Sequence, residues 1–218
     1  MIEDTLNRTE SSAFERLRRL ARRAPTRPEE RCDLCGAAIG PEHRHLLDLT
    51  SRQVQCACRA CAVLLDSPTA GAGARRLIPT RILALTDFRM TDAQWESLQI
   101  PVNIAFLLHN SLEKRTVAYY PSPAGPTESL LPLAAWDELA QDNPMLRDME
   151  PDVEALLIRD RTGGRDCYVT PIDECYRLVG LIRLHWKGLS GGDEVRREID
   201  RFFADLNERA TPAGGHDA

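Results

Sequence analysis

Seven cysteines occur in this sequence, and four of them form two Cys-x-x-Cys pairs, Cys32 with Cys35 and Cys58 with Cys61. A Cys-x-x-Cys turn bends so that both thiolates reach one metal ion at about 2.3 Å, and two such turns complete a tetrahedron. The 22 residues between the pairs are close to the spacing found in four-cysteine zinc sites. The sequence therefore predicts a zinc site formed by these four cysteines.

Iron is the less favoured metal for the four thiolates. Two Cys-x-x-Cys pairs also hold the iron of rubredoxins, but those proteins usually carry a glycine after both pairs. Here Gly36 follows the first pair and Ala62 follows the second. An iron–sulfur cluster is disfavoured as well, because the sequence has no further cysteine-rich run.

Three side chains near the pairs are candidate alternative ligands, namely Cys56, His43 and His45. Cys56 has three interpretations. It can be a strand residue that points away from the metal, an alternative metal ligand, or a reactive thiol whose pKa is lowered by the metal and by Arg59. His43 and His45 are two residues apart and lie on one face of the predicted strand. Either can therefore replace a thiolate or face a partner. Each is also consistent with an ordinary exposed or core histidine.

The residues between the two pairs are predicted to form a hairpin. Residues 43–49 alternate as a strand, the TSRQ segment makes a turn, and residues 53–57 return. Cys61 then opens a short apolar helix. A cysteine knuckle, a hairpin and a helix with the last ligands in its first turn resemble a treble-clef zinc finger, which we assign to residues 30–68.

The remaining chain divides into three further segments. Residues 1–29 contain a basic amphipathic helix, predicted at 12–23, and a linker with prolines. The loop SPTAGAGARR separates the finger from an α+β domain predicted over residues 77–208. The last segment, 209–218, is expected to be a disordered tail.

Antiparallel hairpins covered by helices on one face are the predicted architecture of the α+β domain. Paired apolar runs around polar turns indicate hairpins at 102–120 and 154–171. The two hairpin sequences align weakly, with Leu107 opposite Leu156, as a duplicated hairpin–helix unit would. Between them, the segment PSPAGPTES is expected to be a loop. The other predicted elements are a strand at 77–85, a helix capped by Thr91 and Gln94, and helices at 131–141, 173–186 and after Gly192.

Composition and charge favour a globular protein over a disordered or fibrous one. The 218 residues are 43% apolar and 28% charged, which is typical of globular proteins. The net charge is −5, with +4 over residues 1–90 and −9 over residues 91–218, so the acidic part opposes nucleic-acid binding. No secretory signal and no apolar run of ~20 residues is found, so we expect no membrane insertion. We therefore expect the protein to be cytoplasmic. Thiols stay reduced in the cytoplasm, so its cysteines are better explained by metal binding than by disulfides.

The sequence carries no recognisable catalytic motif. It has no GxSxG, HExxH or Walker motif and no kinase signature. Its many acidic residues show no spacing that singles out a catalytic pair, and a solvated surface accounts for them. We therefore predict no catalytic residues and favour a protein that is not an enzyme.

Five stretches together resemble an uncharacterised bacterial family defined by a domain of unknown function. They are CDLCGAAIGPEHRHLLDL, QCACRACAVLLD, DAQWESLQIPV, YYPSPAGPTESLLPL and CYRLVGLIRLHWKGLSGGDEV. The resemblance covers about residues 28–208. Genes of this family are associated with those of high-affinity uptake nickel–iron hydrogenases, which implies a hydrogenase subunit or maturation factor as partner. No activity is carried over from the family.

These features favour a zinc-binding accessory protein without catalytic activity, which binds hydrogenase subunits or maturation factors during assembly. The first alternative is a thiol-based metal-transfer or redox protein that uses Cys56, Cys58 and Cys61 with His43 or His45. The second alternative is a zinc-finger regulator that binds nucleic acid.

Overall fold

The computed structural model describes residues 30–65, 73–129, 133–188 and 191–214. Most of the SPTAGAGARR loop and the predicted helix at 12–23 lie outside these residues. None of the described helices has the length and apolar composition needed to cross a bilayer. The described strands are β1 (Arg44–Asp48), β2 (Val54–Ala57), β3 (Arg75–Leu77), β4 (Leu83–Leu85), β5 (Ile104–Asn110), β6 (Arg115–Ser122), β7 (Gly125–Ser129), β8 (Glu154–Arg161), β9 (Gly164–Pro171) and β10 (Thr211–Ala213). The described helices are α1 (Arg59–Leu65), α2 (Asp92–Ser97), α3 (Leu133–Asp142), α4 (Ile172–His185) and α5 (Gly192–Arg209), with a 3-10 helix at Pro144–Asp148.

A small antiparallel sheet in the order β2–β1–β3 carries the cysteine-rich segment. The predicted β1–β2 hairpin is present, and its turn is held by Asp48, whose carboxylate accepts hydrogen bonds from the next backbone amides. On one face of this sheet, Leu46 and Ala57 pack against Ala62 of α1. We refer to residues 31–65 and β3 as the finger.

A seven-stranded sheet in the order β10–β4–β9–β8–β5–β6–β7 forms the centre of the rest of the chain. The hairpins predicted at 102–120 and 154–171 are confirmed as β5–β6 and β8–β9. Every described pairing in this sheet is antiparallel except that of β10 with β4. The predicted α+β class with antiparallel hairpins is therefore confirmed.

The two hairpins meet at the centre of the large sheet, where β5 pairs with β8. In the observed register Leu107 lies opposite Leu156, the same two residues that align in the sequence comparison. A local two-fold axis that relates the two hairpins therefore passes between Leu107 and Leu156. The helices break the relation, because α3 follows the first hairpin onto one face of the sheet and α4 follows the second onto the other. The structure relates the hairpins to each other, but not whole hairpin–helix units.

Helices cover both faces of the large sheet, and the expectation of helices on one face was wrong. Phe106 and Leu108 of β5 face a core formed with α4 and α5, whereas Ala105 and Leu107 face a core formed with α3 and the 3-10 helix. The apolar run of β5 has no polar alternate residue until His109, which is typical of a strand buried on both faces. That run was the sequence signal for a sheet with two covered faces.

The helices begin and end close to their predicted positions. The capping box of Thr91 and Gln94 is confirmed, since each side chain bonds the backbone amide of the other residue. Helices α3 and α4 start within two residues of their predicted first residues, and α5 begins at Gly192 as expected.

Three local predictions were wrong. The proline-rich segment is a hairpin, because Pro121 and Pro126 sit opposite each other in β6 and β7. The strand predicted at 77–85 is split into β3, which belongs to the finger sheet, and β4, which belongs to the large sheet. The expected disordered tail contains an ordered strand, since Thr211–Ala213 pairs in parallel with Leu83–Leu85. An edge strand contributes backbone hydrogen bonds even where its sequence is not apolar.

The finger and the large sheet share one core and are joined by ion pairs to a buried carboxylate. Leu47 and Ile78 pack in the core that α4 and α5 form with the large sheet. Asp152, fully buried before β8, accepts a hydrogen bond from Arg52 at 3.0 Å and lies 3.6 Å from Arg76, and both arginines belong to the finger. The boundary predicted between 68 and 77 therefore does not separate two independent cores.

Gly191, at the start of α5, is expected to be intolerant of a side chain. Its φ of +81° favours glycine, and a Cβ there would lie 2.9 Å from Val195 Cγ1 and 3.1 Å from the Trp186 ring. We expect Gly191→Ala to lower the free energy of unfolding by about 2–4 kcal/mol, from backbone strain together with overpacking. Urea denaturation of the two proteins measures this difference.

Gly188→Ala is the matched control for that substitution. Gly188 has a similar φ of +65° but no atom within 4 Å of an added Cβ, so only the backbone cost of about 1–2 kcal/mol is expected. Equal effects at the two positions would show that the close approach of Val195 and Trp186 contributes nothing.

Candidate metal centre

The four predicted cysteine ligands converge on one point of the finger. The Sγ atoms of Cys32, Cys35, Cys58 and Cys61 all lie within 4.8 Å of one another. The Sγ atoms of Cys35 and Cys58 are 3.7 Å apart. Four thiolates at about 2.3 Å from a tetrahedral ion are about 3.8 Å apart, so the cluster has the dimensions of a four-thiolate metal site.

A tight turn presents the first cysteine pair. Arg31 and Ala38 form an isolated antiparallel bridge that closes the turn. Within it, the Gly36 amide donates a hydrogen bond to the Cys32 carbonyl at 2.8 Å, and Gly36 has a left-handed φ of +73°. Glycine adopts this conformation at little cost, which explains the Cys-x-x-Cys-Gly sequence. The turn thereby directs both thiols to the same side.

The second cysteine pair lies where β2 passes into α1. Cys58 directly follows β2, and Cys61 lies in the first turn of α1. The Cys61 amide donates a hydrogen bond to Cys58 Sγ at 3.5 Å, so the start of the helix stabilises negative charge on that sulfur. Ala62 next to them is buried under the finger sheet, which fixes the rotation of α1 and aims Cys61 at the cluster.

The local electrostatics prepare the cluster for a cation. Burial raises the pKa of Cys32, but hydrogen bonds from backbone amides, that of Cys58 foremost, outweigh it and lower the pKa to about 6. Hydrogen bonds with the thiols of Cys35 and Cys58 raise the pKa of Cys61 to about 12. A thiolate is thus favoured at Cys32, beside a Cys61 thiol that holds its proton until a bound divalent ion displaces it.

The predicted alternative ligands do not join the four cysteines. His43, His45 and Cys56 form a second group of their own, whose potential ligand atoms also lie within 4.8 Å of one another. Burial raises the pKa of Cys56, and the charges of Asp33 and Glu30 raise it further, so the lowering expected from Arg59 is not seen. Among the described residues, these two groups are the clusters of three or more side chains suited to a metal.

The two remaining cysteines lie in the core. Cys167 of β9 and Cys175 of α4 are buried and unpaired. Burial raises the pKa of Cys167 to about 12 and raises that of Cys175 as well. Both therefore act as small apolar side chains rather than as ligands or nucleophiles.

One family model matches nearly all of the described chain. No curated protein and no solved structure matches the sequence. The family match extends over residues 31–210, so it includes the finger, both hairpins and α5. The finger and the large sheet are thus parts of one family domain. On this match, the chain belongs to DUF5947, a family of unknown function.

Proposed function

We propose that Cys32, Cys35, Cys58 and Cys61 hold one zinc ion in a treble-clef-like finger, and that the protein is a non-catalytic accessory protein which binds another protein. The observation that carries the zinc assignment is the convergence of the four Sγ atoms within 4.8 Å. The order of knuckle, hairpin and helix supports the treble-clef assignment. Four thiolates fill the coordination sphere of zinc, so the ion acts as a structural cross-link.

The exposed surface of α1 supports a protein partner. Val63 and Leu64 are 69% and 65% exposed, on the side of the helix away from buried Ala62. A pair of exposed aliphatic side chains beside a rigid metal cross-link offers a small, preorganised contact. The partner we propose is a hydrogenase subunit or maturation factor, which is the partner that the sequence resemblance implies.

Metal analysis tests the zinc assignment. We expect the purified full chain to retain a tightly bound zinc at these four cysteines, and Cys61→Ser to contain one zinc fewer per molecule, because three thiolates no longer close the site. Cys167→Ala removes a thiol from the core and is expected to retain the zinc. Retention of this zinc by Cys61→Ser, or iron in its place, would contradict the assignment.

Co-purification tests the partner. The tagged full chain is expected to bring down a hydrogenase subunit or maturation factor from cells that are making the enzyme. A double substitution, Val63→Asp with Leu64→Asp, is expected to abolish this association. Leu184→Asp on α4 is the matched control, since Leu184 is 78% exposed and lies on a different helix. Loss of association in the control, or its persistence in the double variant, would place the contact elsewhere.

The second group of ligands favours metal handling as a second candidate function. A cleft of about 600 Å³ is lined both by Cys58 of the first group and by His43 of the second. A cleft that borders both groups offers a route for the exchange of a metal ion. Rapid loss of zinc to a chelator would support this function, whereas slow loss is expected of a purely structural site.

A further inference from the structure

Two imidazoles and a thiol converge at the join between the finger and α4. The Nε2 atoms of His43 and His45 are 3.1 Å apart. The Cys56 Sγ lies within 4.8 Å of one ring nitrogen of each histidine. These residues are separate from the four cysteines of the proposed zinc site.

The register of the β1–β2 hairpin brings this group together. His45 lies directly opposite Cys56, so both side chains project from the same face of the sheet. That face also carries Leu47 and Val54, which pack in the core formed with α4 and α5. The opposite face carries Leu46 and Ala57, which pack under α1. The sheet itself therefore lies between this group and the helix that carries Cys61.

Hydrogen bonds orient both imidazoles with their Nε2 atoms towards each other. His43 Nδ1 lies 2.9 Å from the Gly40 carbonyl oxygen, and His45 Nδ1 lies 2.7 Å from Asp173 Oδ2. A carbonyl and a carboxylate only accept hydrogen bonds, so each Nδ1 carries the proton and donates it. In the neutral rings, both Nε2 atoms then present lone pairs.

Two lone pairs that face each other at 3.1 Å require a positive charge near both of them. A proton on one ring can supply this charge, and so can a metal ion bound by both. Two nitrogen ligands at about 2.0–2.1 Å from a tetrahedral zinc ion are about 3.3 Å apart, close to the observed separation. The third ligand, Cys56, adds a thiolate of the kind that zinc prefers.

We propose that His43 Nε2, His45 Nε2 and Cys56 Sγ form a second zinc site, distinct from the four-cysteine site. Three protein ligands leave one coordination position for water or an incoming ligand, as in zinc sites that do more than hold a fold together. The cleft lined by His43 borders the group.

Asp173 acts as a positioning residue of this site. Its carboxylate fixes the tautomer and orientation of His45, as outer-shell carboxylates do for zinc-bound histidines. Asp173 belongs to the first turn of α4, whereas the three ligands belong to the finger. A metal ion here therefore joins the finger to the helix that packs on the large sheet.

A cobalt titration of the metal-free full chain, under reducing conditions, tests the second site. We expect wild type to bind about two Co²⁺ ions per molecule, one with four-thiolate charge-transfer bands and one with the weaker bands of a single thiolate. His43→Gln and Cys56→Ser are each expected to bind about one ion, with the four-thiolate bands intact. Asp173→Asn is expected to weaken the second ion about 10–100-fold and to leave the first unchanged.

The exposed histidine of β5 provides the matched control. His109→Gln is expected to bind two ions, because His109 lies outside both groups. One ion in wild type, with four-thiolate bands, would overturn the proposal and leave a shared proton as the charge between the imidazoles. Loss of the four-thiolate bands in Cys56→Ser would also overturn it. Absence of those bands in wild type would instead contradict the four-cysteine site, so the two failures are distinguishable.

Discussion

Cys32→Ser is expected to cause the largest loss of stability of any single substitution in the finger. Cys32 is the buried member of the cluster, and the buried apolar residues under α1 are three small or medium side chains, Leu46, Ala57 and Ala62. The other face of the β1–β2 hairpin packs in the main core, but so small a cluster does not hold α1 in place without a cross-link. We expect the free energy of unfolding to fall by about 4–5 kcal/mol or more, with loss of the tightly bound zinc.

Hydrogen exchange and urea denaturation measure this effect. In Cys32→Ser, amides of α1 and the β1–β2 hairpin should lose protection first, while the central strands β5 and β8 keep theirs. Cys175→Ala is the control, because it removes a thiol from the main core and should cost only about 1 kcal/mol with the zinc retained. Protection of α1 in Cys32→Ser would show that the finger folds without its metal.

Asp152→Ala is expected to produce the second largest effect, at the join between the finger and the large sheet. The buried carboxylate accepts hydrogen bonds from Arg52 and from the Ser111 amide, both at 3.0 Å, and lies 3.6 Å from Arg76. Removing it leaves the half-buried Ser111 amide and two guanidinium groups without this partner. Since the arginines are 24% and 41% exposed, water recovers part of the loss, and we expect about 3–4 kcal/mol.

Two other substitutions separate the contributions of Asp152. Asp152 has a left-handed φ of 69°, which alanine tolerates less well than asparagine. Asp152→Asn keeps a side-chain oxygen and the backbone conformation, so only the negative charge is lost. Urea denaturation should therefore show a smaller decrease in the free energy of unfolding, about 2 kcal/mol. The exposed Asp193, paired with Arg196, is the control, and Asp193→Asn is expected to leave stability unchanged. If Asp152→Ala had the same free energy of unfolding as wild type, the finger would be attached by apolar packing alone.

Local sequence patterns sufficed for much of the fold. The hairpins are readable because apolar runs of strand length flank short polar turns, and the start of α2 is readable because Thr91 and Gln94 cap each other. Pro79 was the one local signal for the split of residues 77–85, and the sheet that each half joins was not readable, since β3 and β4 pair with different distant strands. Pairings of that kind are decided by tertiary packing rather than by local propensity.

In the candidate site too, the residues close together in sequence could be predicted, and the contacts between distant segments could not. The four cysteines were recognisable because each ligand pair lies within one turn. The second group was only partly recognisable: Cys56, His43 and His45 could be named, but their common position depends on the register of β1 with β2. The contribution of Asp173 could not be anticipated, because it reaches His45 from a helix far along the chain. A residue that positions a ligand from another element leaves no spacing signal in the sequence.

The pairing of β10 with β4 has a consequence for how the chain folds during its synthesis. Strand β4 needs β9 on one side and β10 on the other, and both are made long after it. The ribosome therefore releases the finger and the first hairpin before the partners of β4 exist, and contacts of such long sequence separation form slowly. Nascent chains that stop before Thr211 should leave the edge of β4 open to other strands until β10 has been made.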